Sequence, residues 1–350
     1  MAGSGLPQVT VFSLGGTIAS TGLPEMPGDG PGGVAPRLRA QELVAAVPQL
    51  RGIAEVEAVA FRQVPSSDLT MNDIVALAAE IGRRFEAGAA GAVVTQGTDT
   101  IEETSFALDL LTGGGPVVVT GAMRNPTLAG PDGPANLVAA VEVALAPGAG
   151  ELGTLVVLND EIHAARFVGK MHTSSPAAFR SPTVGPVGWV VEGRPRIVMR
   201  LPGLAGLPSA VSGEVPAVAL LTSALGDDFR LVDAVEALGY AGLVIAAFGG
   251  GHVPGHAVGA LARLARSIPV VLASRAAGGE MLQRTYGSPG SERDLLSRGL
   301  IPAGFLSGLK ARVFLSLLLA AGADTDRVRV AFDRMNASVS AVPSPPAARR

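Results

Sequence analysis

Three short polar clusters in this 350-residue sequence carry groups that could do chemistry. In the first, Thr17 follows Gly15 and Gly16, which come directly after an apolar, β-branched run. Two glycines let the backbone turn tightly and let a ligand approach closely. A threonine hydroxyl at the end of a strand can act as a nucleophile when a base lies nearby, or it can cap a helix, which is the commoner use. The residues alone leave both roles open for Thr17.

The second cluster, Thr98 and Asp99, lies where another predicted strand meets a helix N-terminus. Backbone N–H groups at such a junction can bind an anion or stabilise an oxyanion. Thr98 adds a hydroxyl and Asp99 adds a carboxylate. A capping box formed by Thr100 and Glu103 is the simpler explanation of the segment. The two explanations are compatible, because the cap uses neither Thr98 nor Asp99.

The third cluster centres on Lys170, one of only two lysines among 27 lysine and arginine residues. The other 25 of these residues are arginine, so arginine supplies nearly all the positive charge of the chain. An ammonium group can lose its proton when it is desolvated, whereas a guanidinium group effectively cannot. Lys170 is therefore a candidate proton shuttle, or a charge partner for a carboxylate such as Asp99. Chance placement is the alternative.

Composition excludes several classes of protein. A hydrophobic fraction of 48% excludes a disordered chain, and a net charge of -3 argues against electrostatic nucleic-acid binding. The absence of cysteine excludes disulfides, thiolate catalysis and cysteine-ligated metals. His252 and His256 have a metal-like spacing, but Pro254 between them prevents a shared regular helix face. We expect no metal or organic cofactor.

The location prediction depends on apolar segments. The longest dense apolar run, residues 314–323, is shorter than the roughly 20 residues that a spanning helix needs. The first residues show neither the basic region nor the long apolar region of a secretory signal. We therefore expect a cytoplasmic protein with no membrane partner.

Apolar β-branched runs alternate with helical patterns in the N-terminal two-thirds of the chain, which predicts a three-layer α/β domain with a mostly parallel sheet. The predicted strands are residues 9–12, 56–61, 91–94, 116–120 and 154–158, with a further β segment at 187–199. The predicted helices are residues 40–47, 71–87, 101–111 and 135–145.

A smaller C-terminal α/β domain with a parallel sheet is predicted after a Pro- and Gly-rich linker. We place the N-terminal domain at residues 1–200, the linker at 201–215, the C-terminal domain at 216–337 and a frayed tail at 338–350. The predicted strands of the smaller domain are 217–221, 243–247 and 270–273, and its helices are 231–238, 256–265, 308–321 and 326–336. Residues 20–39 form a long loop after the first strand, which is either a lid or a disordered insertion.

Five segments together resemble the bacterial L-asparaginase/glutaminase family, and the resemblance spans residues 8–336. Two of them, residues 14–19 and 95–104, look like the two active-site signatures of that family. The others are residues 119–124, 132–137 and 157–170. These motifs are long and much more specific than a lone glycine pattern.

The resemblance implies a reaction and its residues. Thr17 would be the nucleophile that attacks the side-chain amide of L-asparagine, with L-glutamine as a side substrate. Lys170 and Asp99 would tune Thr98 in a second triad. The Thr98 N–H would stabilise the oxyanion, and the Ala122 carbonyl would hold the leaving nitrogen.

The resemblance also implies how the substrate and the subunits are held. Ser66 would bind the substrate α-carboxylate and Asp99 its α-ammonium, with Gly16 and Ser67 in the same binding site. Glu292 would reach into the site of a neighbouring subunit. Family members are usually homotetramers, built as dimers of intimate dimers.

This chain departs from the family pattern at several of these positions. The family usually has threonine where Leu14 stands, histidine at Gln96 and often glutamine at Ser67. Its lid usually carries a tyrosine, but the only tyrosines here are Tyr240 and Tyr286, outside residues 20–39.

Three other functions are alternatives to amide hydrolysis. A non-catalytic amino-acid sensor on the same scaffold is the main alternative, because the lid tyrosine is missing. A glutamine-hydrolysing subunit of a tRNA-dependent amidotransferase is the second alternative. Such a subunit normally carries an extra N-terminal domain, whereas the first predicted strand of this sequence begins at residue 9. A nicotinamide oxidoreductase would need a Gly-x-Gly-x-x-Gly turn, which the first strand lacks.

Overall fold

The computed structural model describes residues 5–22, 34–36, 38–204, 210–211 and 213–340. The chain divides into two compact units, Met1–Arg200 and Leu201–Arg350. Each unit has its own sheet and helices, with a large, mainly parallel sheet in the first and a smaller parallel sheet in the second. The predicted α/β class is therefore confirmed. None of the helices in the described ranges combines the length and the apolar character needed to span a bilayer.

The first unit contains an eight-stranded sheet and two short two-stranded sheets. Its strands are β1 (Gln8–Ser13), β2 (Ser20–Gly22), β3 (Val34–Pro36), β4 (Glu55–Ala60), β5 (Gly91–Thr95), β6 (Val117–Thr120), β7 (Leu155–Leu158), β8 (Glu161–Ala164), β9 (Gly169–Lys170), β10 (Phe179–Arg180), β11 (Gly188–Val191) and β12 (Arg194–Ile197). Its helices are α1 (Ala40–Ala45), α2 (Met71–Glu86), α3 (Ile101–Leu111) and α4 (Gly133–Ala144).

The order of the large sheet is β12-β11-β8-β7-β6-β5-β1-β4. Strands β4, β1, β5, β6 and β7 run parallel, and β8, β11 and β12 continue the sheet antiparallel. Every residue of β5, β6 and β7 is buried, as expected for parallel strands covered by helices. Helices α3 and α4 both pack on these strands.

The register of the parallel strands aligns their carboxyl ends. Ser13 pairs with Ala60 on one side and Thr95 on the other, and Thr95 pairs with Thr120. The turns that follow β4, β1, β5 and β6 therefore leave the sheet at one edge. Ligands of open α/β sheets bind outside the carboxyl ends of the strands.

The second unit contains a four-stranded parallel sheet in the order β13-β14-β15-β16. Its strands are β13 (Val218–Thr222), β14 (Gly242–Ala247), β15 (Val270–Ser274) and β16 (Ile301–Pro302). Its helices are α5 (Arg230–Ala234), α6 (Val258–Leu264), α7 (Glu292–Ser297), α8 (Gly308–Ala320) and α9 (Thr325–Ser340).

Two predicted boundaries of the second unit are wrong. The helix predicted at 231–238 ends at Ala234, because the chain turns after it. In this turn the Val235 N–H donates to the Val232 carbonyl oxygen, and the Tyr240 N–H donates to the Val235 carbonyl oxygen. The last helix continues to Ser340, so the first three residues of the predicted tail are helical. Residues 205–209 and 212 of the predicted linker, and residues 341–350, lie outside the described part of the chain. The finer domain boundaries remain predictions.

Candidate active site

The turn after β1 is shaped by its two glycines. Gly15 and Gly16 have φ values of 102° and 80°, in the region that favours glycine. A Cβ atom on Gly15 would lie 2.6 Å from the Val64 carbonyl oxygen, and one on Gly16 would lie 2.0 Å from the Gly97 nitrogen. The glycines therefore bring the turn after β1 against the turns after β4 and β5. Thr17 opens a short 3₁₀ helix with Gly16 as its N-cap, so Thr17 is not a capping residue.

The turn after β5 packs against the turns after β1 and β4. Gly97 contacts Gly16, as described above. A Cβ on Gly97 would also lie 2.7 Å from Ser66 Oγ. Thr98 and Ser66 are buried, and Thr17 is partly buried. Because Gly16 abuts Gly97, the residues that follow them, Thr17 and Thr98, start from adjacent backbone. The structure thus brings Gly16, Thr17, Ser66 and Thr98 together.

Lys170 meets the turn after β5 from strand β9. Its Nζ donates to Thr98 Oγ1 at 2.9 Å and to Asp99 Oδ1 at 2.5 Å. The Lys170 side chain is 16% exposed, whereas that of Asp99 is 73% exposed. The charge partner suggested for Lys170 is therefore present. The Lys170 ammonium group thus bonds both a hydroxyl and a carboxylate. Because the Asp99 carboxylate is exposed, it can also bind a second cation from solvent.

Gln96 and Thr100 brace this turn from inside. Gln96 Nε2 donates to Thr100 Oγ1, and Thr100 Oγ1 donates to the Ser66 carbonyl oxygen, both at 3.2 Å. The Thr100 hydroxyl makes no capping hydrogen bond to α3. The capping box predicted for Thr100 and Glu103 is wrong, because the Thr100 hydroxyl is turned towards Ser66. This bracing role of Thr100 was not predicted.

The turn after β6 carries Ala122, which is 1% exposed. Asn136 Nδ2 donates to the Gly121 carbonyl oxygen at 3.0 Å, and the Asp132 carboxylate accepts from the N–H groups of Met123 and Arg124 at 3.1 and 2.8 Å. Asp132 and Asn136 therefore fix the backbone around Ala122. Their segment was one of the resembling motifs, but these two roles were not predicted.

The same turn reaches the neighbourhood of Thr17. A Cβ on Gly133 would lie 2.8 Å from Ile18 Cγ1 and 3.4 Å from Ala122 Cβ. Gly133 thus lets α4 pack between the segment of Ala122 and that of Ile18. Ser67 lies beside Ser66 and is exposed, with its Oγ donating to Asp68 Oδ1 at 3.2 Å.

Glu292 belongs to the second unit and is fully buried there. Its Oε1 accepts from the N–H groups of Thr285 and Tyr286 at 2.8 and 2.7 Å, and His252 Nε2 lies 3.5 Å from Oε2. Burial raises the pKa of this carboxyl, but the backbone N–H groups and His252 outweigh burial and hold the pKa below its ordinary value. Both backbone hydrogen bonds use Oε1, and Oε2 accepts no hydrogen bond within the described residues. The contact of Glu292 with the site of a neighbouring subunit stays a prediction.

The structure describes the two ends of the predicted lid. Residues 23–33 and 37 lie outside the described ranges. The two ends of the segment pair as an antiparallel ribbon, with Ser20 opposite Pro36 and Gly22 opposite Val34. This ribbon starts three residues after Thr17, so the segment is anchored next to the candidate nucleophile.

Comparisons with known proteins agree over both units. Residues 8–202 match the family described as "Asparaginase, N-terminal", and residues 217–332 match the "Glutaminase/Asparaginase C-terminal domain". A "Probable L-asparaginase" of Deinococcus radiodurans is 35% identical over 340 residues, covering 93% of this chain and 97% of the relative. "L-asparaginase 2" of Escherichia coli is 33% identical, covering 94% and 93%.

A further relative bears on location. A Haemophilus influenzae protein named "Probable L-asparaginase periplasmic" is 30% identical, covering 94% of this chain and 93% of the relative. The family descriptions cover most of both units, and these relatives match over nearly their full lengths. The chain therefore belongs to the asparaginase family.

Proposed function

We propose that the protein hydrolyses L-asparagine to L-aspartate and ammonia, with Thr17 as nucleophile. The observation that carries the proposal is the Lys170 ammonium group bonded to both Thr98 and Asp99, in a turn that abuts the turn of Thr17. The L-asparaginase names of the relatives support the choice of substrate. A sensor without activity is not favoured, because these relatives are named as enzymes.

The proposed reaction has two stages. The Thr17 hydroxyl attacks the side-chain amide carbon, and the backbone N–H of Thr98 stabilises the negative charge on the former carbonyl oxygen. The amide nitrogen, held by the Ala122 carbonyl, takes up the proton of the Thr17 hydroxyl and leaves as ammonia, and a Thr17 ester remains. Water then attacks the ester with help from the Thr98 hydroxyl, which Lys170 and Asp99 polarise. Splitting hydrolysis in this way replaces one difficult step with two easier ones.

The same turns can hold the backbone end of an amino acid. Ser66 would bind the α-carboxylate, with Ser67 and Gly16 beside it, and the exposed Asp99 carboxylate would bind the α-ammonium. Asp99 then serves two cations, Lys170 and the substrate. The site needs no cofactor for this chemistry, since each charged end of the substrate meets a complementary polar group.

The experiment is steady-state ammonia release from L-asparagine, D-asparagine and L-glutamine. We expect L-asparagine to have the highest kcat/KM of the three and Thr17→Ala to lose activity by about 10⁴-fold or more. Thr112→Ala is a matched control, because Thr112 ends the helix that follows Thr98 and its hydroxyl bonds only the Leu108 carbonyl at 2.7 Å. Full activity of Thr17→Ala, or none of the wild type with any of the three amides, would reject the proposal.

A homotetramer and a cytoplasmic location are further parts of the proposal. The tetramer is supported by the family resemblance and by exposed leucines in the second unit, such as Leu225 and Leu238 at 99% and 71%. Location is tested by fractionating cells that express the full-length protein, since one relative is named periplasmic.

A further inference from the structure

We propose that the buried ion pair between Asp109 and Arg166 is a positioning device that sets Lys170 against Thr98 and Asp99. Asp109 and Arg166 act through Lys170 and touch no reacting atom in the proposed reaction. The inference rests on the proposed function for its catalytic consequence, but the position of Lys170 can be measured without it.

The pair joins the two segments whose ends must meet. Asp109 lies near the end of α3, the helix that begins two residues after Asp99, and Arg166 lies four residues before Lys170. Arg166 Nε is 3.5 Å from Asp109 Oδ2, and the two side chains are 2% and 1% exposed. A charged pair so fully buried allows little relative movement of its segments without exposing one charge to an apolar core.

A third segment closes around the same carboxylate. Asp109 Oδ1 accepts a hydrogen bond from the Thr154 N–H at 2.8 Å, just before β7. Gly153 has a φ of 78°, and a Cβ there would lie 1.9 Å from Asp109 Oδ1. The Thr154 carbonyl oxygen accepts from the Ala165 N–H at 3.0 Å. Helix α3, the start of β7 and the segment before Lys170 are thus tied at one point.

The segment from Arg166 to Lys170 has little freedom to absorb a displacement. The N–H groups of Phe167 and Val168 both donate to the Ala164 carbonyl oxygen, at 3.0 and 3.2 Å, and Val168 is fully buried. A Cβ on Gly169 would lie 2.8 Å from Glu102 Oε2, so this strand packs directly on the first turn of α3. A shift at Arg166 is therefore transmitted to Lys170.

Stability does not explain the pair. Burial raises the pKa of Asp109 to about 6, against the opposing effects of the Arg166 charge and the Thr154 N–H. Burial likewise lowers the pKa of Arg166. Burial therefore disfavours the charged form of Asp109 more than Arg166 and the Thr154 N–H favour it. At neutral pH the ionised Asp109 carboxylate thus lowers the stability of the fold. Buried pairs of this kind are often replaceable by apolar residues without loss of stability. The geometry that the pair fixes is the better reason for its presence.

The test observes Lys170 directly, because the chain has only two lysines. Protein labelled with ¹³C and ¹⁵N at the lysine side chain gives one set of signals for Lys170 and one for Lys310, which lies in the second unit and serves as an internal control. The variants are Asp109→Asn, Arg166→Gln and the double variant Asp109→Asn/Arg166→Gln, which leaves a neutral pair. Leu261→Ala, in the core of the second unit, controls for a general loss of stability.

We expect the Lys170 signals to move in the folded pair variants while the Lys310 signals stay in place. In the same variants kcat should fall by about 10²-fold, since a misplacement near 1 Å costs that much, while KM changes much less. Unchanged Lys170 signals in a folded variant would overturn the inference, as would an equal loss of kcat in Leu261→Ala. If Arg166→Gln does not fold, Asp109→Asn and the double variant give the same readout without adding a lysine. Movement of the Lys170 signals in a chain that hydrolyses no amide would reject the proposed function and leave the positioning role standing.

Discussion

At the scale of single residues, the site is organised by the Lys170 ammonium group, which bonds a hydroxyl and a carboxylate on neighbouring residues. The rarity of lysine made Lys170 a candidate, and the family resemblance predicted its place beside Thr98 and Asp99. The bracing role of Thr100 could not, since a threonine before a helix has the same pattern whether its hydroxyl caps the helix or turns away. The hydroxyl turns to the Ser66 carbonyl only because the turns after β4 and β5, the two strands that flank β1, pack against each other.

Replacing Lys170 tests whether its proton is used. We expect Lys170→Met to lower kcat for L-asparagine by about 10²–10⁴-fold, the usual contribution of a positioned acid or base. Lys170→Arg should remain impaired, because a guanidinium group keeps the charge but does not release a proton. The measurement is steady-state ammonia release at several pH values. Recovery of wild-type kcat in Lys170→Arg would show that the charge alone suffices.

Replacing Ser66 tests the proposed binding of the substrate α-carboxylate. A hydrogen bond to a charged group contributes about 1.5–3 kcal/mol, so Ser66→Ala should raise KM for L-asparagine by about 10–100-fold. We expect a much smaller change in kcat, because the reacting amide lies at the other end of the substrate. Thr112→Ala again serves as the control, since the Thr112 hydroxyl bonds the Leu108 carbonyl. A KM unchanged in Ser66→Ala would assign carboxylate binding to another group.

At the scale of elements, one edge of the large sheet positions the site. Continuous apolar runs predicted the parallel strands well, and α3 was predicted with the bounds that the structure has. The two-residue strands β9 and β10 were not predicted, because two residues carry no periodicity and their pairing depends on distant chain. Lys170 was therefore recognised by its residue type before its element was known.

Glycine in the turn after β1 is required for a steric reason as well as for its φ. Gly16→Ala should abolish activity and destabilise the fold, because its Cβ would lie 2.0 Å from the Gly97 nitrogen. Gly88→Ala separates the two effects, since Gly88 has a φ of 99° with no atom within 4 Å of a Cβ. The control should cost only about 1–2 kcal/mol and keep kcat. Thermal unfolding and ammonia release check both variants, and an active, stable Gly16→Ala would contradict the close approach of the turns.

The buried Asp109 makes the stability of the fold depend on pH. Its pKa is about 6 in the fold against an ordinary value of 3.8. A carboxyl with a raised pKa favours folding below its unfolded pKa, and that contribution is lost as the pH rises through the folded pKa. Relative to Asp109→Asn, the wild-type free energy of unfolding should thus fall by up to about 3 kcal/mol between about pH 4 and pH 6.5. Denaturant unfolding across that range checks this, and a pH-independent difference would contradict it.

At the scale of the whole molecule, two α/β units carry the family match, and the described site residues of the proposed reaction all lie in the first unit. The sequence predicted the two-unit organisation because the alternation of strands and helices resumes after a Pro- and Gly-rich stretch. The hydrogen bonds of Glu292 could not be predicted, since its motif does not show that nearby backbone N–H groups donate to its carboxylate.

Assembly is the prediction that belongs to this scale. Light scattering after size-exclusion chromatography should give a mass four times that of the chain. Exposed leucines on the second unit are the surface that association would cover. A monomer that is fully active with L-asparagine would reject the need for a neighbouring subunit.

The central claim is that the turns of Thr17 and Thr98 act on one carboxamide, and a crystal structure with bound L-aspartate tests it most directly. We predict that the Thr17 and Thr98 hydroxyl oxygens both lie within about 3.5 Å of the side-chain carboxylate of the same aspartate, with Ser66 at its α-carboxylate. An aspartate bound at another place, or one whose side chain meets only one of the two hydroxyls, would contradict the account.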